Sequence, residues 1–279
     1  MKKTLSALLI LATGSAGATV TVGNLIAFYD FNGNANDGSG NGADASLNLG
    51  AVISADGTGY SSAIGDSALD LGPSTGGTAG TAANAFATVD FSSATASGAM
   101  AVSFWQFDLG NGAGANFSST SFGIVSSSGG GTRGFQAHTP WGNDILYFDH
   151  GGACCTGPNR LTDPAIGTTL LDGWHHIVLQ VDNGSKEIWV DGALVASQAT
   201  GAAAIPTFTG DLMMGAEPAG TNNGFGGRID EFAVWNSVLS PDDITALAGG
   251  AGTQSILVPE PSSGILMLLG GLALIRRRR

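Results

Sequence analysis

Between residues 138 and 160 the chain sets aromatic rings beside amides, acids and one guanidinium, among them Trp141, Asn143, Asp144, Tyr147, Asp149 and Arg160. A flat ring stacks on the C–H face of a sugar, while amide, carboxylate and guanidinium groups bond its hydroxyls, so this is the chemistry of a carbohydrate groove. Trp141 is the candidate stacking platform, with Asn143, Asp144 and Arg160 as its polar partners. A second reading stays open, in which Trp141 only caps the edge of the core.

Bond cleavage is less well provided for. Glycoside hydrolysis needs two carboxylates at a fixed separation. The glutamates are Glu187, Glu217, Glu231 and Glu260, and none sits in a cluster of acids that suggests such a pair. Asp230 and Glu231 are neighbours in a strand-like run and face opposite ways. The chain is therefore read as non-catalytic. His175 and His176 are adjacent in the same kind of run, so one ion cannot easily take both, and they are read as packing residues. Trp174 and Trp189 are read as core.

Both ends carry address labels. Met1-Lys2-Lys3, the apolar run Leu5 to Ala12 and the small-x-small Ala16-Gly17-Ala18 form a secretory signal peptide, residues 1–18, cut after Ala18 by signal peptidase. At the other end, Val258-Pro259-Glu260-Pro261 precedes an apolar stretch from Gly264 to Ile275 and four terminal arginines. The prolines start the helix after Pro261, and the arginines keep its far end cytoplasmic. This order of motif, short span and arginine cluster resembles the PEP-CTERM sorting signal of Gram-negative bacteria. The resemblance implies that residues 258–279 hold the chain transiently in the inner membrane through a transmembrane helix until an exosortase processes it. Export to an oxidising compartment bears on Cys154 and Cys155, the only cysteines. A strained vicinal disulfide is the first reading, and free or intermolecularly linked thiols the second.

With the terminal signals set aside, four basic residues remain, Arg133, Arg160, Lys186 and Arg228, in a chain with 22 acidic ones. So acidic a surface repels nucleic acid and attracts divalent cations. Short apolar runs separated by turn residues predict strands throughout. Leu25 to Phe31 opens the domain. Met100, Val102, Phe104 and Gln106 share one strand face, with Ala101, Ser103, Trp105 and Phe107 on the other. Asn183-Gly184 and Asp191-Gly192 are tight-turn signals that join three strands between His175 and Ser197 in a meander. Ser240-Pro241-Asp242-Asp243 opens a two-turn helix that Gly249-Gly250 closes. The domain is placed at residues 19–250, and 251–257 is read as a linker.

Four stretches carry a further resemblance: Leu25 to Phe31 with Asn41-Gly42, Asp172-Gly173-Trp174-His175-His176-Ile177, Ile188-Trp189-Val190-Asp191-Gly192, and Gly227 to Trp235 followed by Leu239-Ser240. In this order they resemble the laminin G-like and pentraxin group of domains, over roughly residues 24–248. That implies an all-β fold, a concanavalin A-like jelly-roll β-sandwich. Several families on this fold bind a structural calcium ion between the first and last strands, and Asp30, Asp37 and Asp230 lie in the matching stretches, with the carboxylate oxygens that calcium prefers. The expected function is a surface or matrix protein whose partner is an extracellular polysaccharide. The rivals are an adhesive protein-binding module and, more distantly, a polysaccharide hydrolase or lyase.

Overall fold

The computed structural model describes residues 24–73, 85–92, 94, 98–109, 120–126, 133–152, 157–171, 173–217 and 223–257. The signal peptide, Cys154 and Cys155, and the sorting motif Pro259-Glu260-Pro261 lie outside the described residues. Among the described residues no helix is long and apolar enough to cross a membrane.

Turn chemistry sets the strand boundaries. Asn183 and Gly184 both take positive φ, as do Asp191 and Gly192. Such pairs match the right-handed twist of two-residue hairpins, which is why Asn-Gly and Asp-Gly occupy them. They join β11 (Trp174–Asp182), β12 (Ser185–Val190) and β13 (Ala193–Gln198) in the predicted meander.

These strands belong to the first of two antiparallel sheets. It also holds β1 (Leu25–Tyr29), β3 (Val52–Ile53), β4 (Leu69–Asp70), β6 (Ala99–Asp108) and β15 (Gly227–Trp235), in the order β13-β12-β11-β6-β15-β4-β3, with β1 paired to β15 as well. A break in the β15–β6 register between Asp230 and Ala233 lets β15 serve two partners along one edge, β4 at Arg228–Ile229 and β1 at Phe232–Trp235. The second sheet contains β2 (Ser46–Asn48), β5 (Phe86–Val89), β7 (Thr120–Ser126), β8 (Arg133–His138), β9 (Leu146–Gly152), β10 (Arg160–Asp163) and β14 (Phe208–Met214), in the order β10-β9-β8-β7-β14-β5-β2. The all-β sandwich of jelly-roll type is as expected.

Period-two alternation sends Met100, Val102 and Phe104 of β6 into the space between the sheets. Phe104 stacks on Phe232 at 5.6 Å and meets Phe122 edge-on at 5.7 Å. Phe122 continues to Phe135, and Phe135 to Phe148 at 4.7 Å, so one row of rings spans both sheets. Gln106 also points inward, where its side-chain amide donates to the Thr139 carbonyl and accepts from the Thr139 hydroxyl.

The other face of the first sheet is covered in part by α1 (Pro241–Ala248). Ser240 caps α1 reciprocally with Asp243, and Ile244 and Leu247 pack on Ala101, Val178 and Trp235. Residues 251–257, expected as a linker, lie against the domain. Thr253–Ile256 form a 3-10 turn, the Thr253 N–H donates to the Glu231 carboxylate at 2.9 Å, and Ile256 and Leu257 join the cluster under α1.

One cation crosses the sandwich. Lys186 of β12 is fully buried, and its ammonium donates to the Phe148 carbonyl (3.0 Å), the Asn159 carbonyl (3.2 Å) and His150 Nδ1 (2.9 Å). It also lies 4.3 Å from the centre of the Phe148 ring. Since His150 Nε2 donates to the Ala203 carbonyl, its Nδ1 is free to accept. Lys186 thereby ties the first sheet to β9 and to the start of β10.

Two measurements check these contacts. Phe104→Ala removes the ring that touches both sheets and is expected to cost about 3–5 kcal/mol of unfolding free energy in urea titration; a loss below ~1 kcal/mol would mean the row is not load-sharing. Burial lowers the Lys186 pKa to about 7, whereas the unfolded chain keeps the proton to about 10.5. Between those values the unfolded state binds more protons, so stability rises with pH, by up to ~1.4 kcal/mol per pH unit. Lys186→Met should lack that rise, and identical pH slopes for the two proteins would contradict it.

Candidate functional site

The outer face of the second sheet gathers the sequence candidates. Cross-strand register sets Gln136 of β8 opposite Asp149 of β9, and Asp149 opposite Arg160 of β10. Likewise His138 lies opposite Tyr147. Because Phe135, Ala137 and Phe148 point into the core, alternation turns Gln136, His138, Tyr147, Asp149 and Arg160 to the opposite face.

Tyr147 is the hub. The Arg160 guanidinium lies 4.3 Å from the centre of its ring, and Asn143 Nδ2 donates to its hydroxyl at 2.8 Å. Arg160 also grips Asp149 with two parallel bonds, of 2.6 Å from Nε and 2.5 Å from Nη2. Asp149 is fully buried, and a buried carboxylate is tolerable with such a partner. Trp141 is half-buried and meets the His138 ring edge-on at 4.3 Å. Gln136 Nε2 lies 2.8 Å from His138 Nε2, and His138 Nδ1 lies 3.2 Å from the Thr120 hydroxyl. Gln136 Oε1 in turn accepts from Arg133 Nε at 3.0 Å, and Arg133 pairs with Glu217 at 3.4 Å. A continuous line of hydrogen-bonding groups and rings thus runs from Glu217 through Arg133, Gln136 and His138 to Trp141, Tyr147 and Arg160.

Of the residues singled out in the sequence, Asn143 and Arg160 meet at Tyr147, and Trp141 shares the His138 ring with it. Asp144 serves the turn instead. Its N–H donates to the Trp141 carbonyl at 2.9 Å and its φ is +62°, a left-handed position that Asp tolerates. Gln136, His138 and Arg133 were missed as members of the site, and Asp149 was noted in the run but not singled out. Alternation along 146–150 hints at Tyr147 and Asp149, but their partners on β8 and β10 depend on register.

The expected calcium ligands are not brought together. Asp37 already accepts from the N–H groups of Phe28 (3.0 Å), Ser39 (2.9 Å) and Ala43 (3.2 Å) and from the Ser39 hydroxyl (2.8 Å). Asp30 accepts from the Asn32 N–H. Asp230 is fully buried and accepts from the N–H groups of Tyr60 and Glu231. Burial, with Asp66 and Glu231 adding like charge, pushes Asp230 up to about 8, so at neutral pH it is mainly a neutral acid. Among the described residues no group of three His, Cys, Asp or Glu side chains is arranged to hold a metal ion. These residues do not fit a calcium cage, which needs several free, charged oxygens converging on one point.

The histidine pair divides as adjacent strand residues do. His175 Nδ1 bonds the Asp191 carboxylate at 2.8 Å near the surface. His176 is buried against Trp105, and burial lowers its pKa to about 4. Trp174, expected in the core, lies half-exposed at the start of β11, edge-on to Phe107. Trp189 is half-buried against the cluster under α1, and Trp235 is the fully buried tryptophan.

Comparison with known proteins places this architecture. Domain 4 of AbnA, a GH43 extracellular arabinanase from Geobacillus stearothermophilus solved in complex with arabinotriose, superposes with a TM-score of 0.55 at 18% identity, over 81% of this chain and 98% of that one. The binding domain of botulinum neurotoxin serotype D superposes with a TM-score of 0.58 at 14% identity, over 82% of this chain and 52% of that one. A structure of botulinum neurotoxin type C, whose cell entry depends on two ganglioside molecules, gives 0.56 at 13% identity, with 82% and 52% covered. This chain therefore spans about half of the toxin fragments, and at such identities the likeness is one of fold. No curated protein matches the chain. A family model described as the concanavalin A-like lectin/glucanases superfamily matches residues 76–245. The jelly roll and that match agree: the chain belongs to the concanavalin A-like lectin/glucanases superfamily.

Proposed function

We propose that this protein is an exported, non-catalytic carbohydrate-binding module whose sugar face is the outer surface of β8, β9 and β10. The observation that carries this reading is the pair of half-buried rings Trp141 and Tyr147, both set edge-on against His138, with the Asn143 amide on the Tyr147 hydroxyl and the Arg160 guanidinium over one face of the Tyr147 ring. Tyr147 is held from two sides before any ligand arrives, so little side-chain entropy remains to be lost on binding. Stacking on such rings, with hydrogen bonds at the rim, is how proteins hold a sugar without altering it. The arabinotriose in domain 4 of AbnA and the gangliosides of the type C toxin support a sugar partner on this fold.

The terminal segments supply the cellular half of the proposal. A signal peptide over residues 1–18 and a PEP-CTERM tail over 258–279 export the chain and hand it to an exosortase at the inner membrane. The mature domain then meets polysaccharide at the cell surface. The non-catalytic reading draws on the Asp149 carboxylate, which Arg160 occupies with both bonds and which is closed to solvent. A general acid or nucleophile must reach its substrate.

The test is retention of the purified chain in affinity gels cast with arabinan, xylan, dextran and polygalacturonate. At least one of them should retard it, with calcium or with chelator alike. Trp141→Ala and Tyr147→Ala should each weaken binding by about tenfold, ~1.4 kcal/mol, with the near-ultraviolet spectrum otherwise kept. Folded protein that no polysaccharide retards would sink the reading.

A further inference from the structure

The segment that leads from α1 toward the sorting motif is fastened to the domain along its length. At its root the Tyr60 hydroxyl donates to the Gly250 carbonyl at 3.3 Å. Thr253 is fully buried, and its N–H donates to the Glu231 carboxylate at 2.9 Å. Gln254 Nε2 donates to the Gly38 carbonyl at 3.3 Å. Ile256 and Leu257 then pack, half-buried, on the cluster that holds Leu25 and Phe28.

Chain geometry turns this fastening into a limit on reach. Only Val258, Pro259, Glu260 and Pro261 separate Leu257 from the start of the membrane helix proposed above. At about 3.6 Å per residue these four cover at most about 14 Å. A single helix is about 10–12 Å across, so with 251–257 docked no folded enzyme fits around Pro259-Glu260-Pro261 between the domain and the bilayer. Freed from Gly250 onward, the eleven residues 251–261 reach up to about 40 Å. That gain of about 25 Å approaches the diameter of a small domain.

The fastening is weak at its centre. Glu231 takes φ +46°, a left-handed conformation that is costly for a residue other than glycine. Burial raises the pKa of its carboxyl, the bonds from Thr253 hold it back, and the charges of Asp30 and Asp66 raise it again. Beyond this latch lie one amide bond to Gly38 and two half-buried aliphatic side chains. Contacts so few open locally at a small fraction of the free energy of global unfolding.

We infer that residues 251–257 are a releasable strap that gates processing of the chain: docked, they hold Pro259-Glu260-Pro261 too close to the domain for an exosortase, and release of Thr253 to Leu257 delivers the motif. The inference rests on the sorting-signal reading and adds to it a control of rate, set by a local equilibrium of the domain.

Thr253→Pro isolates the latch. Gly252, at φ −62° and ψ 149°, precedes Thr253, which opens the 3-10 turn, so proline fits the backbone there while lacking the N–H that Glu231 accepts. In the full chain held in detergent, chymotrypsin cleavage after Leu257, read by mass spectrometry, reports the strap. Thr253→Pro should be cut there at least about fivefold faster than wild type, with the near-ultraviolet spectrum kept. Pulse-chase in a Gram-negative host that carries an exosortase reports the gate. Thr253→Pro should shorten the half-time of processing by at least about threefold, and so should about ten Gly and Ser residues inserted after Leu257, which lengthen the tether and leave the strap docked. Equal cutting after Leu257 in wild type and Thr253→Pro, or processing of Thr253→Pro at the wild-type rate, would overturn the inference and leave the sorting reading standing. A chain that the exosortase host never shortens, in any of the three forms, would take both down.

Discussion

Five phenylalanines in contact between the sheets, Phe232, Phe104, Phe122, Phe135 and Phe148, couple β15 and β6 of one sheet to β7, β8 and β9 of the other. Each strand has a side-chain period of two, so fixing one inward ring fixes the direction of every other residue on that strand. A one-residue slip of β8 or β9 would expel Phe135 or Phe148 to water and bring Gln136 or Asp149 into the core. The surface chemistry of the second sheet is therefore a by-product of its interior packing. Tyr147 faces outward because Phe148 faces inward.

The polar groups that do enter the sandwich are met by specific partners. Gln106 and Thr139 exchange hydrogen bonds across the gap, and the Ser121 hydroxyl joins Thr139. Lys186 is the costlier case, since a buried ammonium forfeits its hydration. Three acceptors and the Phe148 ring offset that loss, and in return the amine binds strands that backbone bonds alone would leave in separate sheets. It also lies behind the only outward-facing arrangement of rings and guanidiniums on β9 and β10, among the described residues.

A similar economy operates at β15. Breaking its register at Asp230–Ala233 lets β4 and β1 share one edge and swings Glu231 into a left-handed conformation. The Glu231 carboxylate then receives the Thr253 N–H, so the segment after α1 is tied to the last strand rather than trailing from it. Asp230 remains buried beside Tyr60 and Trp105, its charge disfavoured by desolvation. Acids that look like metal ligands in the sequence can thus be structural acceptors, because a carboxylate takes backbone N–H groups as readily as it takes a cation.

By itself the sequence determined the strand-rich fold, the Asn-Gly and Asp-Gly hairpins, the inward face of β6 and the capped helix at Ser240, since each depends on neighbours a few residues apart. The four family-like stretches in their order extended this to a jelly roll, which the family match agrees with. The stretch from 138 to 160 could be read from the sequence as a candidate sugar groove, but its layout could not. Placing Tyr147 between Asn143 and Arg160, and Asp149 under Arg160, needs the register of three strands. The bonds of Lys186 to Phe148 and His150 need the approach of β12 to β9 across the core. The fate of Asp30, Asp37 and Asp230 was likewise settled only by tertiary structure, because identical carboxylates become ligands or acceptors according to which donors the fold brings within about 3 Å.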